Sequence, residues 1–279
     1  MTAWVRDPLR LAALLIALAA GSAGAQTSDL VSGTGFRVCA DPSADPVSMQ
    51  DGSGYENHLA GLIAGQLDLP VHYTWYPMTT GFIRNTLRAG KCDVVMGYAQ
   101  GHELVLNTNH YMTSVYTLVV PVDGPLAGVE TLADPRLKGL TVGVVAGTPP
   151  ATHMARHGLI ADARPYHLVV DSRHDNSAKA MLNDLDAGVI DAGVLWGPLA
   201  GPLARRDHPG LKVIPLLKEQ GPPRMFYRIT MGVRQGEKVW QRQLNSLIRR
   251  NQDQINALLA GAGVPLVSDM GDALLETAQ

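Results

Sequence analysis

Two histidines spaced four residues apart, His153 and His157, are the clearest candidates for metal chemistry in this chain. They lie on a predicted helix, where side chains at positions i and i+4 share one face. A protein zinc site needs at least a third ligand, and the sequence does not indicate one. We therefore predict no metal site.

Three aspartates, Asp41, Asp45 and Asp51, lie in a segment from 41 to 54 that is rich in Pro, Gly, Asp and Ser. Their spacing misses the D-x-[DN]-x-[DN]-G pattern of calcium loops, so turn formation is the favoured explanation for them. The length of the segment and its place after a first predicted strand are typical of a binding loop.

The signatures of common enzymes are absent from the sequence. No P-loop occurs, and Gly33-Thr34-Gly35 is not followed by a third glycine at position 38, so no phosphate or dinucleotide loop is predicted. No G-x-S-x-G elbow is present, and His102-Glu103 lacks a second histidine at position 106. We predict no catalytic residue and expect that the chain is not an enzyme.

Aromatic residues with polar tips follow several predicted strands. Tyr76 follows the second strand, Tyr98 and Tyr111 flank a polar stretch after the third, and Trp196 ends a strand of the second half. Such side chains suit the recognition of a ligand or a protein segment. We expect Tyr98 and Trp196 to face a cleft, whereas Trp75 alone is better explained as a core residue.

Two segments in different halves of the chain share one pattern. Each of 87–97 and 185–197 has the last turn of a helix, a glycine suited to the left-handed conformation, a turn aspartate and a short apolar strand. The strands end in Gly97-Tyr98-Ala99 and Trp196-Gly197-Pro198. Because ligands of open α/β sheets bind at the carboxyl ends of strands, we predict a cleft between two lobes.

Hydrophobic periodicity predicts an α/β fold for both halves. Strands are predicted at 36–40, 71–75, 92–97, 140–145, 166–170, 190–195, 211–216 and 225–233, and helices at 55–67, 81–89, 177–187 and 237–259. The β-α-β-α-β order of the first half predicts a parallel sheet with right-handed crossovers. Crossings near 120–122 and 224–227 would make a two-stranded hinge between lobe 1 (26–120 plus 226–279) and lobe 2 (121–225).

A further helix is predicted to begin at Gly147-Thr148-Pro149, because proline suits the first helical turn and threonine suits the cap before it. Free amides of that turn would bind an anion or a carbonyl. The complete set of predicted cleft residues is Asp41, Glu56, Tyr76, Arg84, Gly97, Tyr98, Tyr111, Gly147, Thr148, Pro149, Trp196, Gly197 and Pro198.

Residues 1–25 have the pattern of a cleavable secretory signal. Arg6 and Arg10 precede an apolar run at 11–20, which is too short to span a bilayer, and Ala23-Gly24-Ala25 is an A-x-A cleavage site. We predict export, with Gln26 as the mature N-terminus. The net charge of −2 argues against nucleic acid or a polybasic membrane contact.

The chain has two cysteines, Cys39 and Cys92. In an oxidising compartment such a pair is more often bridged than free, so a disulfide is slightly favoured. The alternative is that both are small buried apolar residues on neighbouring strands.

The sequence resembles the MoxJ/XoxJ family, within the bacterial extracellular solute-binding protein family 3. The resemblance covers nearly the whole predicted mature chain and rests on residues 37–42, 54–57, 73–77, 81–87, 92–97 and 196–198. It implies a type II periplasmic-binding-protein fold and a non-enzymatic periplasmic partner of a methanol or alcohol dehydrogenase that depends on pyrroloquinoline quinone. The quinone and its calcium or lanthanide ion belong to that dehydrogenase, so no cofactor is expected here.

One departure from amino-acid-binding relatives matters. Those proteins commonly carry an arginine shortly after the third strand that pairs with the carboxylate of the ligand. Residues 100–109 contain none, so a free amino acid is not the expected ligand, although Arg84 could substitute.

Two other functions remain open from the sequence. The first is a substrate-binding receptor of an ABC transporter for a small polar solute. The second is an enzyme of the cyclohexadienyl dehydratase type with Glu56 or Glu103 as its acid. A closed pocket of about a few hundred Å³ would favour the receptor, and an open groove would favour a protein-segment binder.

Overall fold

The computed structural model describes residues 30–276, so the predicted signal at 1–25 lies outside the described residues. The first half contains strands β1 (Phe36–Ala40), β2 (Ser43–Ala44), β3 (Ser48–Met49), β4 (Val71–Trp75) and β5 (Val94–Ala99), with helices α1 (Tyr55–Gly65) and α2 (Phe82–Asn85). A long strand, β6 (Leu106–Pro121), follows.

The second half contains β7 (Val142–Val145), α3 (Pro149–Arg156), β8 (Arg164–Tyr166), α4 (Ser177–Asp186), β9 (Ala192–Trp196), α5 (Gly197–Asp207) and β10 (Leu211–Pro215). The chain then forms β11 (Phe226–Val233), α6 (Lys238–Arg250) and α7 (Gln252–Gly261). None of the helices in 30–276 is long and apolar enough to cross a bilayer.

The strand order is β4-β1-β5-β11-β6-β9-β7-β8, and β10 also pairs with β6. Strands β4, β1 and β5 are parallel, as predicted from the alternation of strands and helices in the first half. Strands β8, β7 and β9 form a second parallel set. Each set packs helices over its own apolar core, which gives the predicted α/β fold with two lobes.

Strand β6 belongs to both lobes. Residues 106–115 pair with β11, whereas 116–119 pair with β9 and 117–121 pair with β10. The change of partner along β6 therefore falls at Val115–Tyr116. Just before β11 begins, the Tyr116 amide donates to the Met225 carbonyl at 2.8 Å. The lobe boundaries near 120–122 and 224–227 stay a prediction.

Three predicted elements are shorter than expected. The helix predicted at 81–89 ends at Asn85, since Thr86 turns inward and its hydroxyl donates to the Phe82 carbonyl at 2.6 Å. The helix predicted at 237–259 breaks at Asn251, whose side-chain amide caps the Leu247 carbonyl. The strand predicted at 166–170 ends at Tyr166.

Helix α5 was not expected, because two Gly-Pro pairs are weak helix formers. Tertiary packing explains it. A Cβ at Gly201 would lie 2.0 Å from the carbonyl oxygen of Gly263, and one at Gly197 would lie 2.5 Å from that of Val115. The glycines allow α5 to pack closely against the C-terminal segment, and this contact overrides the low intrinsic propensity.

Cys39 and Cys92 are joined as a disulfide, with their Cα atoms 5.5 Å apart. Cys39 lies on β1 opposite Val95 of β5, and Cys92 immediately precedes β5. The bridge therefore ties two adjacent strands of lobe 1.

The neighbouring Asp93 anchors the same corner. Its carboxylate is almost fully buried and accepts hydrogen bonds from Arg37 Nε and Nη2 and from Arg234 Nη2, each at 2.7 Å, and from the Ser32 amide at 3.1 Å. Arg234 is itself buried and also donates to the Cys92 carbonyl. The network joins β1, β5 and β11.

Candidate functional site

A cavity of about 450 Å³ lies between the two lobes. Lobe 1 contributes the loop at 44–47, Ala99 at the end of β5, and two residues of β11. Lobe 2 contributes Thr148, the 167–178 segment and the end of β9. The site thus lies at strand ends between two lobes, the kind of place the shared sequence pattern predicts.

The floor of the cavity is a cluster of three aromatic rings, Tyr116, Trp196 and Tyr227. Ring centroids are 5.2 Å apart for Tyr116–Trp196, 5.9 Å for Trp196–Tyr227 and 6.5 Å for Tyr116–Tyr227, all in edge-to-face geometry. Tyr116 of β6 pairs directly with Trp196 of β9, and Tyr227 lies opposite Ser114 on the other side of β6. The rings meet because β6 changes partners at this point.

The sequence identified Trp196 but missed Tyr116 and Tyr227. Tyr116 is inside the apolar run at 114–120, and Tyr227 follows the second predicted crossing. What Tyr116 and Tyr227 share in the sequence is that each lies close to a predicted crossing between the lobes. Burial raises the pKa of Tyr116, so its hydroxyl stays protonated.

Among the described residues, no lysine or arginine lines the cavity. Asp45 does line it, but its carboxylate is already paired with Arg206 at 2.7 Å and with Lys179 at 2.5 Å. The hydrogen bond from Arg206 is the largest cause that lowers the pKa of Asp45. The cavity therefore offers aromatic and apolar surface together with the polar side chains of His167 and Asp175, and none of its described lining residues is a lysine or arginine that could pair with a ligand carboxylate.

Contacts between the lobes close one side of the cavity. Ser172 donates to Asp41 at 2.7 Å, and the Asn176 amide donates to the Asp45 carbonyl at 2.9 Å. With the Asp45–Arg206 pair, these contacts form what we call the latch: Asp41, Asp45, Ser172, Asn176 and Arg206. Asp41, predicted as a cleft residue, is buried and serves in this latch.

Several other predicted cleft residues lie elsewhere. Tyr111 is fully buried in the core of lobe 1, on the face of β6 that packs under the helices. Gly197 and Pro198 are buried at the start of α5. Strand β9 therefore presents Leu195 and its terminal Trp196 to the cavity, and α5 adds Leu199, whereas Gly197 and Pro198 do not line it.

Tyr98 lies outside the main cavity. Side chains alternate along a strand, so Ala99 faces the cavity while Tyr98 points to the opposite face. There it contacts His102 edge-to-face at 4.8 Å and, with Arg84, lines a separate depression beside α2. Tyr76 is nearby, packed on Phe82 and accepting a hydrogen bond from Asn85.

The start of α3 offers fewer donors than predicted. Thr148 lines the cavity, but its hydroxyl donates to the Val145 carbonyl at 2.6 Å instead of capping the helix. Pro149 and Pro150 have no N–H, and the Ala151 amide donates to the Thr148 carbonyl. Gly147 is exposed at this turn. An anion or carbonyl therefore finds no free amide at 149–151.

Glu56 is buried in the first turn of α1 and lies against the backbone of Gly97. A Cβ at Gly97 would lie 1.9 Å from Glu56 Oε1, so the carboxyl group occupies the space that the glycine leaves open. Burial raises the pKa of Glu56 to about 8. Glu56 does not line the cavity, and Glu103 is exposed on the surface.

We expect Glu56→Gln to stabilise the protein at neutral pH. From pH 4.5 to about 8 the carboxyl group ionises in the unfolded chain but stays protonated when folded, so the free energy of unfolding falls as the pH rises. Glutamine removes this pH dependence, and the gain in the free energy of unfolding should be about 3 kcal/mol at about pH 7, vanishing at low pH. Urea unfolding of both proteins across this range measures it. A constant difference at all pH values would contradict it.

The structure also brings a third potential ligand to His153 and His157, which the sequence did not indicate. Glu219 Oε2, from the segment after β10, lies 3.4 Å from His153 Nδ1 and 3.8 Å from His157 Nε2.

Comparison with known proteins agrees with this architecture. No family model matches the chain. The periplasmic binding protein XoxJ from Methylobacterium extorquens AM1 superposes with a TM-score of 0.72 at 37% identity, covering 84% of this chain and 100% of that one. MoxJ of Methylorubrum extorquens is 27% identical over 282 residues, which is 92% of this chain and 93% of that protein.

An ancestral cationic amino acid solute-binding protein shares the fold, with a TM-score of 0.65 at 22% identity over 83% of this chain and 96% of that one. Its likeness reflects the type II periplasmic-binding-protein architecture. The likeness to XoxJ shows more than a shared fold, because the identity is 37% and the whole of the XoxJ chain is covered. The chain belongs to the MoxJ/XoxJ family of periplasmic binding proteins.

Proposed function

We propose that this protein is a non-enzymatic periplasmic accessory protein that assists a methanol or alcohol dehydrogenase dependent on pyrroloquinoline quinone. It does so by binding an apolar segment of the dehydrogenase in the cleft between its lobes. The observation that carries this proposal is the cluster of Tyr116, Trp196 and Tyr227 in a cavity that no lysine or arginine lines among the residues described. The partner itself is suggested by the family resemblance.

The chemistry of the cleft supports a neutral, apolar or aromatic ligand group. Edge-to-face rings can accept another ring or an aliphatic side chain with favourable packing. Two large apolar side chains are also exposed in the segment beside the cavity: Leu168, which lines it, is 58% exposed, and the neighbouring Val169 is 69% exposed. Large apolar side chains left in water at the rim of a cleft are typical of a protein-binding surface.

The quinone and metal ion of the reaction belong to the dehydrogenase in this proposal. The accessory protein supplies a binding surface and takes no part in electron transfer. Export through the signal at 1–25, cleaved before Gln26, would bring it to the periplasm with its partner.

A specific observation favours the second candidate, a transporter receptor. The cavity volume of about 450 Å³ is within the range of small-molecule sites, and the latch holds the lobes together over it. A neutral solute with an apolar or aromatic part would suit this cavity. The dehydratase alternative has less support, because neither Glu56 nor Glu103 reaches the cavity.

Affinity capture tests the two candidates. The mature protein is immobilised and exposed to periplasmic extract, and retained proteins are identified by mass spectrometry. We expect a quinoprotein dehydrogenase to be retained, and purified dehydrogenase to bind directly. The receptor is favoured instead if the dehydrogenase does not bind and native mass spectrometry of freshly purified protein detects a bound small molecule.

A further inference from the structure

We propose that His153, His157 and Glu219 form a binding site for a zinc-class divalent cation in lobe 2. This inference does not depend on the proposed function, since none of the three residues lines the cleft cavity. Their ligand atoms, one from each side chain, all lie within 4.8 Å of one another.

The spacing of Glu219 from each histidine is close to that around a tetrahedral ion. Ligands about 2.0–2.1 Å from a zinc ion stand roughly 3.4 Å apart along a tetrahedral edge. His153 Nδ1 is 3.4 Å from Glu219 Oε2, and His157 Nε2 is 3.8 Å from the same oxygen. His157 follows the last residue of α3 and is 27% exposed, so a small rotation of its side chain completes the geometry and leaves a position for water.

The hydrogen bonds around the site already orient its ligands. His153 Nε2 lies 2.8 Å from the Pro223 carbonyl, which can only accept, so Nε2 carries a proton and Nδ1 faces the carboxylate. Glu219 Oε1 accepts from the Thr131 hydroxyl at 2.8 Å and from the Leu132 amide, which leaves Oε2 directed at the histidines. Such outer hydrogen bonds fix ring and carboxylate orientation in metal sites.

A buried carboxylate such as that of Glu219 is energetically costly unless a positive charge lies beside it. The side chains of His153 and Glu219 are 0% and 2% exposed. Arg156 approaches His153 Nδ1 only at 3.5 Å, and its other nitrogen donates to the Pro222 carbonyl at 2.6 Å. A cation bound by both histidines and by Glu219 would neutralise this buried carboxylate directly.

The ligand types also select the class of ion. Two imidazole nitrogens and one carboxylate oxygen favour zinc over calcium or a lanthanide, which prefer oxygen ligands. The bound ion would tie α3 to the segment that leads into β11. It would thereby stiffen lobe 2 behind Thr148.

Zinc titration of the chelator-treated mature protein tests this site. We expect one zinc ion per chain by calorimetry and by elemental analysis after gel filtration, with no competition from calcium or lanthanum. Bound cobalt(II) should give the strong visible bands of tetrahedral coordination. Zinc about 100-fold above its dissociation constant should raise the melting temperature by roughly 5 °C or more.

Variants assign the ion to these residues. His157→Ala and Glu219→Gln should each weaken zinc binding roughly tenfold or more, whereas His58→Ala, on the exposed face of α1, should leave it unchanged. Circular dichroism and thermal melting without metal verify that each variant is folded. If Glu219→Gln unfolds, the test rests on His157→Ala, because His157 is partly exposed. Absence of stoichiometric zinc in the wild type, or equal binding by His157→Ala, overturns the proposal.

Discussion

Replacing Trp196 by alanine is expected to weaken binding of the dehydrogenase roughly thirtyfold or more. A buried aromatic anchor typically loses about 2 kcal/mol or more of binding free energy on truncation. Trp196 contacts both other rings of the cluster, so its loss also removes the packing that holds Tyr116 and Tyr227 in place. Biolayer interferometry with purified dehydrogenase measures the change.

Two control variants make this test specific to the cleft. Tyr98→Ala removes an aromatic residue of the matching strand in the other lobe, but Tyr98 faces the separate depression beside α2. Arg242→Ala alters the exposed face of α6. Both should bind like the wild type. Equal losses in all three variants, or full binding by Trp196→Ala, would mean that the dehydrogenase docks elsewhere.

Asp93→Ala is expected to lower the free energy of unfolding by about 3–5 kcal/mol, because removing one partner of a buried ion pair leaves the other uncompensated. Arg234 is only 7% exposed, and Asp93 is its close acidic partner at 2.7 Å, whereas Glu237 is 3.5 Å away. Urea unfolding followed by circular dichroism measures this loss.

The matched control is Asp191→Ala in the second half. Asp191 occupies the equivalent turn of the shared sequence pattern, but it is exposed and accepts from the Thr141 amide at 2.8 Å. Loss of one such hydrogen bond costs about 1 kcal/mol. Similar losses for both variants would show that the buried arginine network contributes little.

Much of the fold was predictable because local pattern and tertiary environment agree. Strands β1 and β4 are observed at the predicted residues, and the parallel pairing of β4, β1 and β5 follows from the strand and helix order. Helix α5 was not predictable, since its glycines are selected by close contact with Gly263 and Pro265 far along the chain. Sequence periodicity cannot report such a contact.

The site was less predictable than the fold. Trp196 was found because strand ends gather at the cleft, but Tyr98 was misplaced because a shift of one residue along a strand reverses the facing direction. The positions of Tyr116 and Tyr227 in the cavity depend on the point at which β6 stops pairing with β11 and begins pairing with β9. The sequence pattern does not mark that point. Glu219 joins the histidines through a loop, and loop paths leave no periodic signal.

The position of β11 in lobe 1, after the whole of lobe 2 in the sequence, has a consequence for how the chain folds. Among the strands of residues 30–276, the edge of β5 that faces away from β1 is paired with β11 alone, and β11 follows the whole of lobe 2 in the sequence. Lobe 1 is therefore completed last, although it is synthesised first, and pairing between such distant segments slows folding. Until the C-terminal end has emerged, an unpaired strand edge stays open to other chains.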